Sequence, residues 1–518
     1  MKLKFLFIAI LFTIAIDVFS QTTYSRILDS AQVYSAVSDA NNNIYLAGQG
    51  YSASYNFDGM LIASLTPDAN IIWAKKIGSS YTDYANAIVN KGDTLFVAGT
   101  AYNHGLGYNS FSCLKMALNG DTLWSRSIDF GSKSVVSSAY YCTDNSFLVT
   151  GWVLSASEVG VAKLTANGDL VWAKTFDNPG FYSNPRSIKQ LDDGNIVIVG
   201  DFDDYYGFCL KLDSNGALLT AKQFQTPELV QLYLNDFIPN TDGMVLYFNA
   251  EKTFIAQVDS IFNTVWAIGN NWGSYIWSMY TEVATQKLNQ TRDKGYLYVD
   301  GGSWGFGSFS NAYKTDSLGH IEWVTRLELP VQGIVNMDDG GYLAYGNGPI
   351  MGVKSAKINE PQIGLVKIDS TGYSDSCAIS MFVFESPIDL LVSDLSLTES
   401  TSGALFVHHL EISDVNLLKR SGCVDFTGGI GETNPIPFQL IATPNPTQGK
   451  FELSFSDNQN HPITNLEIVN AMGEVVYQMH KPIKSSLTFD LSQQPMGIYL
   501  VRANANSNMF VAKVLIID

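Results

Sequence analysis

Carboxylates and aromatic rings crowd a few short segments of this chain, and they are where chemistry has to be sought. Asp201-Phe202-Asp203-Asp204-Tyr205-Tyr206 packs acids and phenols into one run, Trp272, Tyr275 and Trp277 fall close together, and Trp304 sits in a Gly-rich stretch. Flat rings beside Asp and Asn suit stacking on sugars or on side chains. The oxygens of Asp201, Asp203 and Asp204 are ligands of the type Ca²⁺ takes, although the run lacks a complete loop signature and reads more simply as a solvated acidic loop. Two acids among Asp203, Asp204 and Glu282 would serve polysaccharide cleavage if they converged as an acid and base pair. The competing account of the rings is that they pack between strands and touch no ligand.

Other chemistries find no residues to carry them. The six His, at 104, 320, 408, 409, 461 and 480, have no metal-ligand spacing, and His408-His409 would point to opposite faces of a strand. Gly301, Ser303 and Gly305 match the nucleophile-elbow pattern but lie between two strands, where the elbow needs a strand-to-helix turn. No catalytic residue, metal or obligatory cofactor is therefore assigned. Cys113, Cys142 and Cys209 fall inside apolar strand patterns and read as buried thiols, while Cys377 and Cys423 flank one segment and have the option of pairing outside the cell.

A repeat of about 50 residues must position these groups. Its marks are strand endings built around a Trp (Trp73, Trp124, Trp172, Trp266, Trp323), a hairpin turn before several of them (Asn119-Gly120, Asn167-Gly168, Asn215-Gly216), a strand ending in Lys before the turn (Lys115, Lys163, Lys211, Lys314, Lys367), and further upstream an apolar strand ending in Gly (Gly48, Gly99, Gly200, Gly346). The lysines are expected to lay their stems over neighbouring Trp rings. Each unit holds four strands, A to D, and four strands repeated radially make a β-propeller. Counting A strands predicts a seven-bladed propeller over residues 22–376, with Tyr24-Ser25-Arg26 supplying the outer strand of the last blade and closing the ring. The loops from B to C and from D to A then share one face, and they vary, whereas the opposite turns are short and stereotyped. Variable loops on a rigid scaffold are the usual seat of recognition. The pattern resembles the secreted propeller repeats of about 50 residues found in Bacteroidetes, a resemblance that implies a fold and no particular activity.

The ends of the chain speak of export. Lys2 and Lys4 precede an apolar run from Phe5 to Ile16, and Val18-Phe19-Ser20 precedes a cut ahead of Gln21, so residues 1–20 read as a signal peptide. No later segment is long and apolar enough for a membrane helix. At the other end, residues 441–518 alternate apolar and polar residues between Pro, Gly and Asn, the pattern of a small Ig-like β-sandwich. Pro444-Asn445-Pro446, Gly473, Asp490-Leu491, Gly497, Tyr499 and Lys513 stand in blocks whose order and spacing resemble the type A C-terminal sorting domain of the Bacteroidetes type IX secretion system. That resemblance implies the secretion machinery as a partner and a cut near the linker, residues 428–440. Residues 377–427 break the period and are expected to form an extra β segment or a cap.

Net charge is −18, and residues 440–518 are near neutral, so the acidity lies in the middle of the chain. An acidic surface without basic clusters argues against nucleic acid and anionic membranes as partners. The reading that results is an all-β protein of the cell surface or the extracellular space, whose propeller is a non-enzymatic binding or adhesion module for glycan or protein. A secreted polysaccharide-acting enzyme and a structural surface component are the alternatives.

Overall fold

A computed structural model describes the chain except residues 1–22, 52–56, 79–82, 155–157, 204, 228–230, 251–252, 271–286, 301–308, 349–360, 375–377, 382–384, 402, 408–409, 411, 416, 418, 422–439, 456–462, 471–474, 480–486, 506–507 and 518. The signal-peptide assignment thus lies outside the described residues. Among the described residues there is no helix, and the chain divides into two units, Met1–Val424 and Asp425–Asp518.

The first unit is propeller-like: seven five-stranded antiparallel sheets. In sheet one the strands A to D are Ala31–Ser38, Ile44–Tyr51, Phe57–Leu65 and Ile71–Ile77, each paired to the next in sequence. The A strands of sheets two to seven are Tyr84–Lys91, Ser134–Tyr141, Ser183–Gln190, Leu232–Asn240, Asn289–Gln290 and Val331–Asn336. Sheet seven takes its D strand, Tyr24–Asp29, from the start of the chain. Strand B is a continuous apolar run because both of its faces are covered by neighbouring sheets, as Ile196–Phe202 shows with every residue buried. Seven apolar cores result, each shared by two consecutive sheets, with the last shared by sheets seven and one.

Two close approaches explain the repeat. Strand A bulges in sheets one to five and seven, for example between Val33 and Ser35, and the bulge drops its backbone onto strand B. A Cβ at Gly48 would stand 1.9 Å from the Gln32 carbonyl oxygen, so that position needs glycine. The second approach lies between sheets. The Trp of each D strand reaches the turn between strands C and D of the next sheet: Trp73 Nε1 donates to the Leu118 carbonyl at 2.9 Å and Trp124 Nε1 to that of Ala166 at 3.1 Å. Its ring lies on the turn glycine, where a Cβ at Gly168 would come within 2.9 Å of Trp124. Sheet four has Thr220 at the Trp position, and the turn it faces in sheet five carries Phe262 at the glycine position, with φ +71° and the ring buried. The larger turn residue fills what the smaller strand residue leaves.

The strand C lysines direct their ammonium groups to an acid where the neighbouring turn supplies one. Lys163, Lys314 and Lys367 reach the Asp of the turn between A and B in their own sheet, at 2.9 Å to Asp144, 2.8 Å to Asp293 and 2.5 Å to Asp339. Lys115, whose sheet has a two-residue turn there, brings its ammonium over the Phe147 ring. A carboxylate within reach outcompetes an aromatic face for an ammonium.

Residues 378–421 form a belt. Ala378–Met381, Glu385–Pro387, Leu391–Asp394, Thr398–Thr401, Ala404–Val407, Ile412–Asp414 and Lys419–Ser421 add a fifth strand to sheets six, five, four, three, two, one and seven in that order. Tyr24–Asp29 is therefore not an outer strand, because Lys419–Ser421 lies outside it. Between its strands the belt inserts Ile388 and Leu390, then Leu395 and Leu397, Leu410, and Val415 with Leu417 into inter-sheet cores, and from within the strand Ala404–Val407 it adds Leu405 to another. Lys75–Asp414 (2.7 Å), Lys174–Glu399 (2.5 Å) and Lys222–Asp394 (2.5 Å) join belt to D strand. Asp394 and Asp414 are largely exposed, so these pairs contribute at most about 1 kcal/mol each, and burial of the apolar links dominates.

The second unit has a three-stranded sheet (Leu440–Thr443, Lys450–Phe455, Leu487–Asp490) and a four-stranded one (Ile463–Asn470, Val475–Met479, Gly497–Ala505, Asn508–Ile516). Phe451, Leu453 and Phe455 of the first share one core with Ile468, Val501 and Val514 of the second.

Two outcomes follow for unfolding by denaturant. Leu390→Ala costs about 2–4 kcal/mol, whereas Asp394→Asn costs under about 1 kcal/mol; equal effects would place the belt's hold in its ion pairs. Thr220→Trp destabilises by about 1–3 kcal/mol through overpacking against Phe262, and adding Phe262→Gly restores much of the loss, whereas simple additivity of the two changes would dissolve the pairing of turn and strand.

Candidate functional site

The acidic run starts in strand B of sheet four and crosses the turn to Tyr206, and its described acids are committed to local partners. Asp201 is fully buried and accepts from Arg186 Nε and from Asn184 Nδ2 at 3.3 Å. An arginine-paired carboxylate is lost as a metal ligand. Asp203 adopts φ +49°, accepts from the Tyr182 amide at 2.8 Å and donates its own amide to the Tyr182 carbonyl at 3.0 Å. Tyr205 is exposed and Tyr206 packs on the core between sheets three and four. Asp204, Trp272, Tyr275, Trp277, Glu282, Ser303 and Trp304 lie outside the described residues, as do Cys377 and Cys423. Among the described residues no group of three His, Cys, Asp or Glu is placed to hold a metal ion. Cys113, Cys142 and Cys209 are buried free thiols whose ionisation burial opposes.

A charged cluster that sequence reasoning missed lies on the A strands of sheets four to six. Asp236 occupies the position just after the bulge, where sheets one, three and four have Ser35, Ser138 and Ser187. Its Oδ1 accepts from Ser187 Oγ at 2.6 Å, from Lys189 Nζ at 2.8 Å and from the Phe237 amide at 2.9 Å, and its Oδ2 accepts from the Leu288 amide at 3.0 Å. Burial raises the Asp236 pKa, but Lys189, Lys287 and these bonds outweigh it and hold the carboxyl below its usual range. Burial acts oppositely on Lys287 and lowers its pKa, with Asp236 countering and Lys189 adding repulsion.

Sheet six departs a second time. Asp300 stands at the end of strand B, where Gly48, Gly99, Gly151, Gly200 and Gly346 stand elsewhere, and the A strand beside it shrinks to Asn289–Gln290. Sheet five carries Phe248 at that position and keeps its bulge, between Leu234 and Asp236. The Asp300 carboxylate accepts from Asn311 Nδ2 at 2.6 Å and Tyr313 Oη at 3.0 Å. Desolvation wins over these bonds and pushes its pKa up to about 6. Tyr247 and Tyr298, both buried, complete the wall, and Tyr247 Oη donates to the Val299 carbonyl. One carboxyl neutral in weak acid and another held ionised, on neighbouring sheets, is the electrostatic pattern of an acid and base set. The signal for Asp236 and Asp300 was a charged residue at a repeat position that takes Ser or Gly in several other sheets.

In the second unit the motif residues hold the fold. Asn445 Oδ1 accepts from the Leu515 amide at 2.9 Å and its Nδ2 donates to the Lys513 carbonyl at 2.6 Å. Asp490 accepts from Ser492 Oγ at 2.6 Å, and Tyr499 Oη donates to the Pro495 carbonyl at 2.7 Å. Leu491 is buried, Gly497 has φ +151°, and Pro444 and Pro446 flank Asn445 in the turn that these bonds fasten. Gly473 lies outside the described residues.

A family model described as a secretion system C-terminal sorting domain matches residues 443–518. The chain carries this domain, which marks proteins exported by the type IX secretion system to the cell surface or extracellular space. No curated protein matches the chain. Among solved structures the chain is similar to a protein of unknown function from Bacteroides caccae (15% identity, 48% of this chain and 94% of that one, TM-score 0.32). It is also similar to an exo-beta-1,3-galactanase from Clostridium thermocellum (12% identity, 86% and 80%, TM-score 0.30) and to a polysaccharide lyase (11% identity, 65% and 90%, TM-score 0.37).

Asp300 gives a pH dependence with a definite sign. Its folded pKa of about 6 lies above the ordinary 3.8, so the folded state holds a proton that the unfolded state has lost. Its contribution to stability is full below about pH 4 and is lost as the pH rises through about 6, by on the order of 3 kcal/mol. Comparing unfolding of the parent and Asp300→Asn from pH 4 to 7 checks this: the variant lacks that downward component, and parallel profiles would mean the carboxyl titrates normally.

Proposed function

We propose that the first unit is a seven-bladed propeller strapped by the belt, that the second is an Ig-like sandwich, and that the exported protein is a non-enzymatic binding or adhesion module for glycan or protein. The observation that carries the reading is the contrast between the two ends of the sheets. At one end the turns are locked alike: Asp39, Asp213, Asp259, Asp316 and Asp369 each accept two backbone amides, at 2.8–3.0 Å. At the other end the connections differ, and the longest, residues 271–288, 300–309 and 348–361, belong to consecutive sheets five to seven. Stereotyped turns fix a scaffold, and unequal connections on it are where specificity is placed. Asp201, Asp236 and Asp300, three of the described buried carboxylates, are each held by protein donors, which supports binding over acid and base work.

A second reading, cleavage of a polysaccharide, is favoured by the opposed pKa shifts of Asp236 and Asp300, with Asp203, Asp204 and Glu282 as further acids. The protein, purified from culture medium, is to be passed over immobilised polysaccharides and surface proteins with and without chelator, with reducing ends assayed in the eluate. Retention without product is the expected outcome, weakened by Trp272→Ala, Trp277→Ala or Trp304→Ala. New reducing ends would replace the binding reading with the enzymatic one, and loss of retention in chelator would bring Ca²⁺ into the site.

A further inference from the structure

Sheet four presents three aromatic rings to solvent at the end where the connections vary. Phe181 and Tyr182 close the connection from sheet three, and Tyr205 closes the turn between strands B and C; their exposures are 40%, 67% and 49%. The other exposed aromatic residues described in the first unit, Phe309, Tyr373 and Phe406, belong to three different sheets. The two connections are tied to each other. Asp203 donates its amide to the Tyr182 carbonyl and accepts the Tyr182 amide on Oδ1, while the Phe181 and Tyr205 amides close turns on the Asn178 and Phe202 carbonyls at 3.1 and 2.9 Å. Beneath them the Phe181 ring lies 6.5 Å from that of buried Phe202, and the Tyr205 ring 6.4 Å from that of Tyr206, which pairs with Phe202 across the strands. Rings of this size left in water forgo the burial that a core position would give, and a backbone fastened on both sides holds them there before any ligand arrives.

The polar groups around the rings select the ligand. Asp203 Oδ2 and the Tyr182 and Tyr205 hydroxyls take no partner among the described residues, so a carboxylate oxygen and two phenols stand open at the same place. Neither connection, 178–182 or 203–205, carries Lys or Arg, and the two bases of the adjoining strand A, Arg186 and Lys189, are held by Asp201 and Asp236. An acidic sugar finds no cation here to pair with. An apolar peptide would leave the Asp203 oxygen without a donor. A neutral pyranose meets both demands: its C–H face lies on a ring, and its hydroxyls donate to the acid. We propose that Phe181, Tyr182 and Tyr205 form a stacking platform for neutral sugar units of a glycan, with Asp203 Oδ2 as the acceptor for their hydroxyls. The proposal rests on the binding reading above and names the site and the ligand class.

The test runs the full exported chain through native gels cast with neutral polysaccharides (mixed-linkage β-glucan, xylan, galactan, mannan) or acidic ones (polygalacturonate, chondroitin sulfate), with retardation read as affinity. At least one neutral polysaccharide is expected to slow the parent, with little response to salt. Tyr182→Ala and Tyr205→Ala should each lower that affinity about tenfold, the share of one stacked ring, at unchanged melting temperature. Phe at either position keeps most of the affinity and Leu does not, because stacking needs a flat face; Leu also stands in for Ala if an Ala variant melts early. Leu variants that bind as well as Phe variants, folded Ala variants that migrate as the parent does, or binding to acidic polysaccharides or surface proteins alone overturns the proposal. In each of those cases the parent is still retained, and the binding module stands without this platform. A parent that no polysaccharide or surface protein retains removes the module itself, and the platform with it.

Discussion

The stack of a tryptophan on the backbone of the neighbouring sheet is the contact from which the rest of the first unit takes its spacing. Trp73, Trp124, Trp172 and Trp323 each leave their own sheet, lie on a glycine of the next turn and donate Nε1 to a carbonyl of that turn. The contact joins burial of a large ring with one directional bond, so it fixes distance and rotation together. Glycine is required there by proximity as well as by its positive φ. The pairing of Thr220 with Phe262 shows that volume across the gap, and not the indole itself, is what must be conserved from sheet to sheet.

Seven sheets spaced in this way leave seven outer strands whose second edge is open, and an open edge is a template for unwanted pairing. The belt answers that with very little chain. Its strands are three or four residues long, as in Ile412–Asp414 and Leu391–Asp394, too short to be stable alone. What anchors them are the apolar residues between strands, which drop into cores the sheets have already built. The hydrogen bonds and ion pairs then set register on a segment already held.

The repeat was legible because its marks answer to sterics: Trp where a ring spans to the next sheet, Gly where backbones meet at the bulge, Asp where a turn needs an acceptor. The pairing of Tyr24–Asp29 with Gln362–Ile368 could be read from the likeness of Tyr24-Ser25-Arg26 to Trp124-Ser125-Arg126. The belt was not legible, since three-residue strands show no period and their apolar residues serve the links. The charged cluster was overlooked for a different reason. The conspicuous acids and rings of the sequence fall on variable loops, whereas Asp236 sits within a strand, Lys287 and Asp300 sit just outside strand ends, and Asp236 and Asp300 stand out only against the repeat, where Ser and Gly are the commonest residues. Asp201 misled in the opposite direction: a loop acid in sequence, it is a buried partner of Arg186 in space.

The belt visits sheets six to one in the reverse of their order along the chain and ends on sheet seven, which joins Tyr24–Asp29 to strands between Val331 and Ile368. Each of its strands needs an edge that exists only once that sheet has formed, and each link needs the crevice between two finished sheets. Seating it in full is therefore a roll-call of the seven sheets, taken by the last segment of the first unit. A chain with one sheet missing or out of place could not answer it, and would leave that stretch of the belt without an edge to pair with.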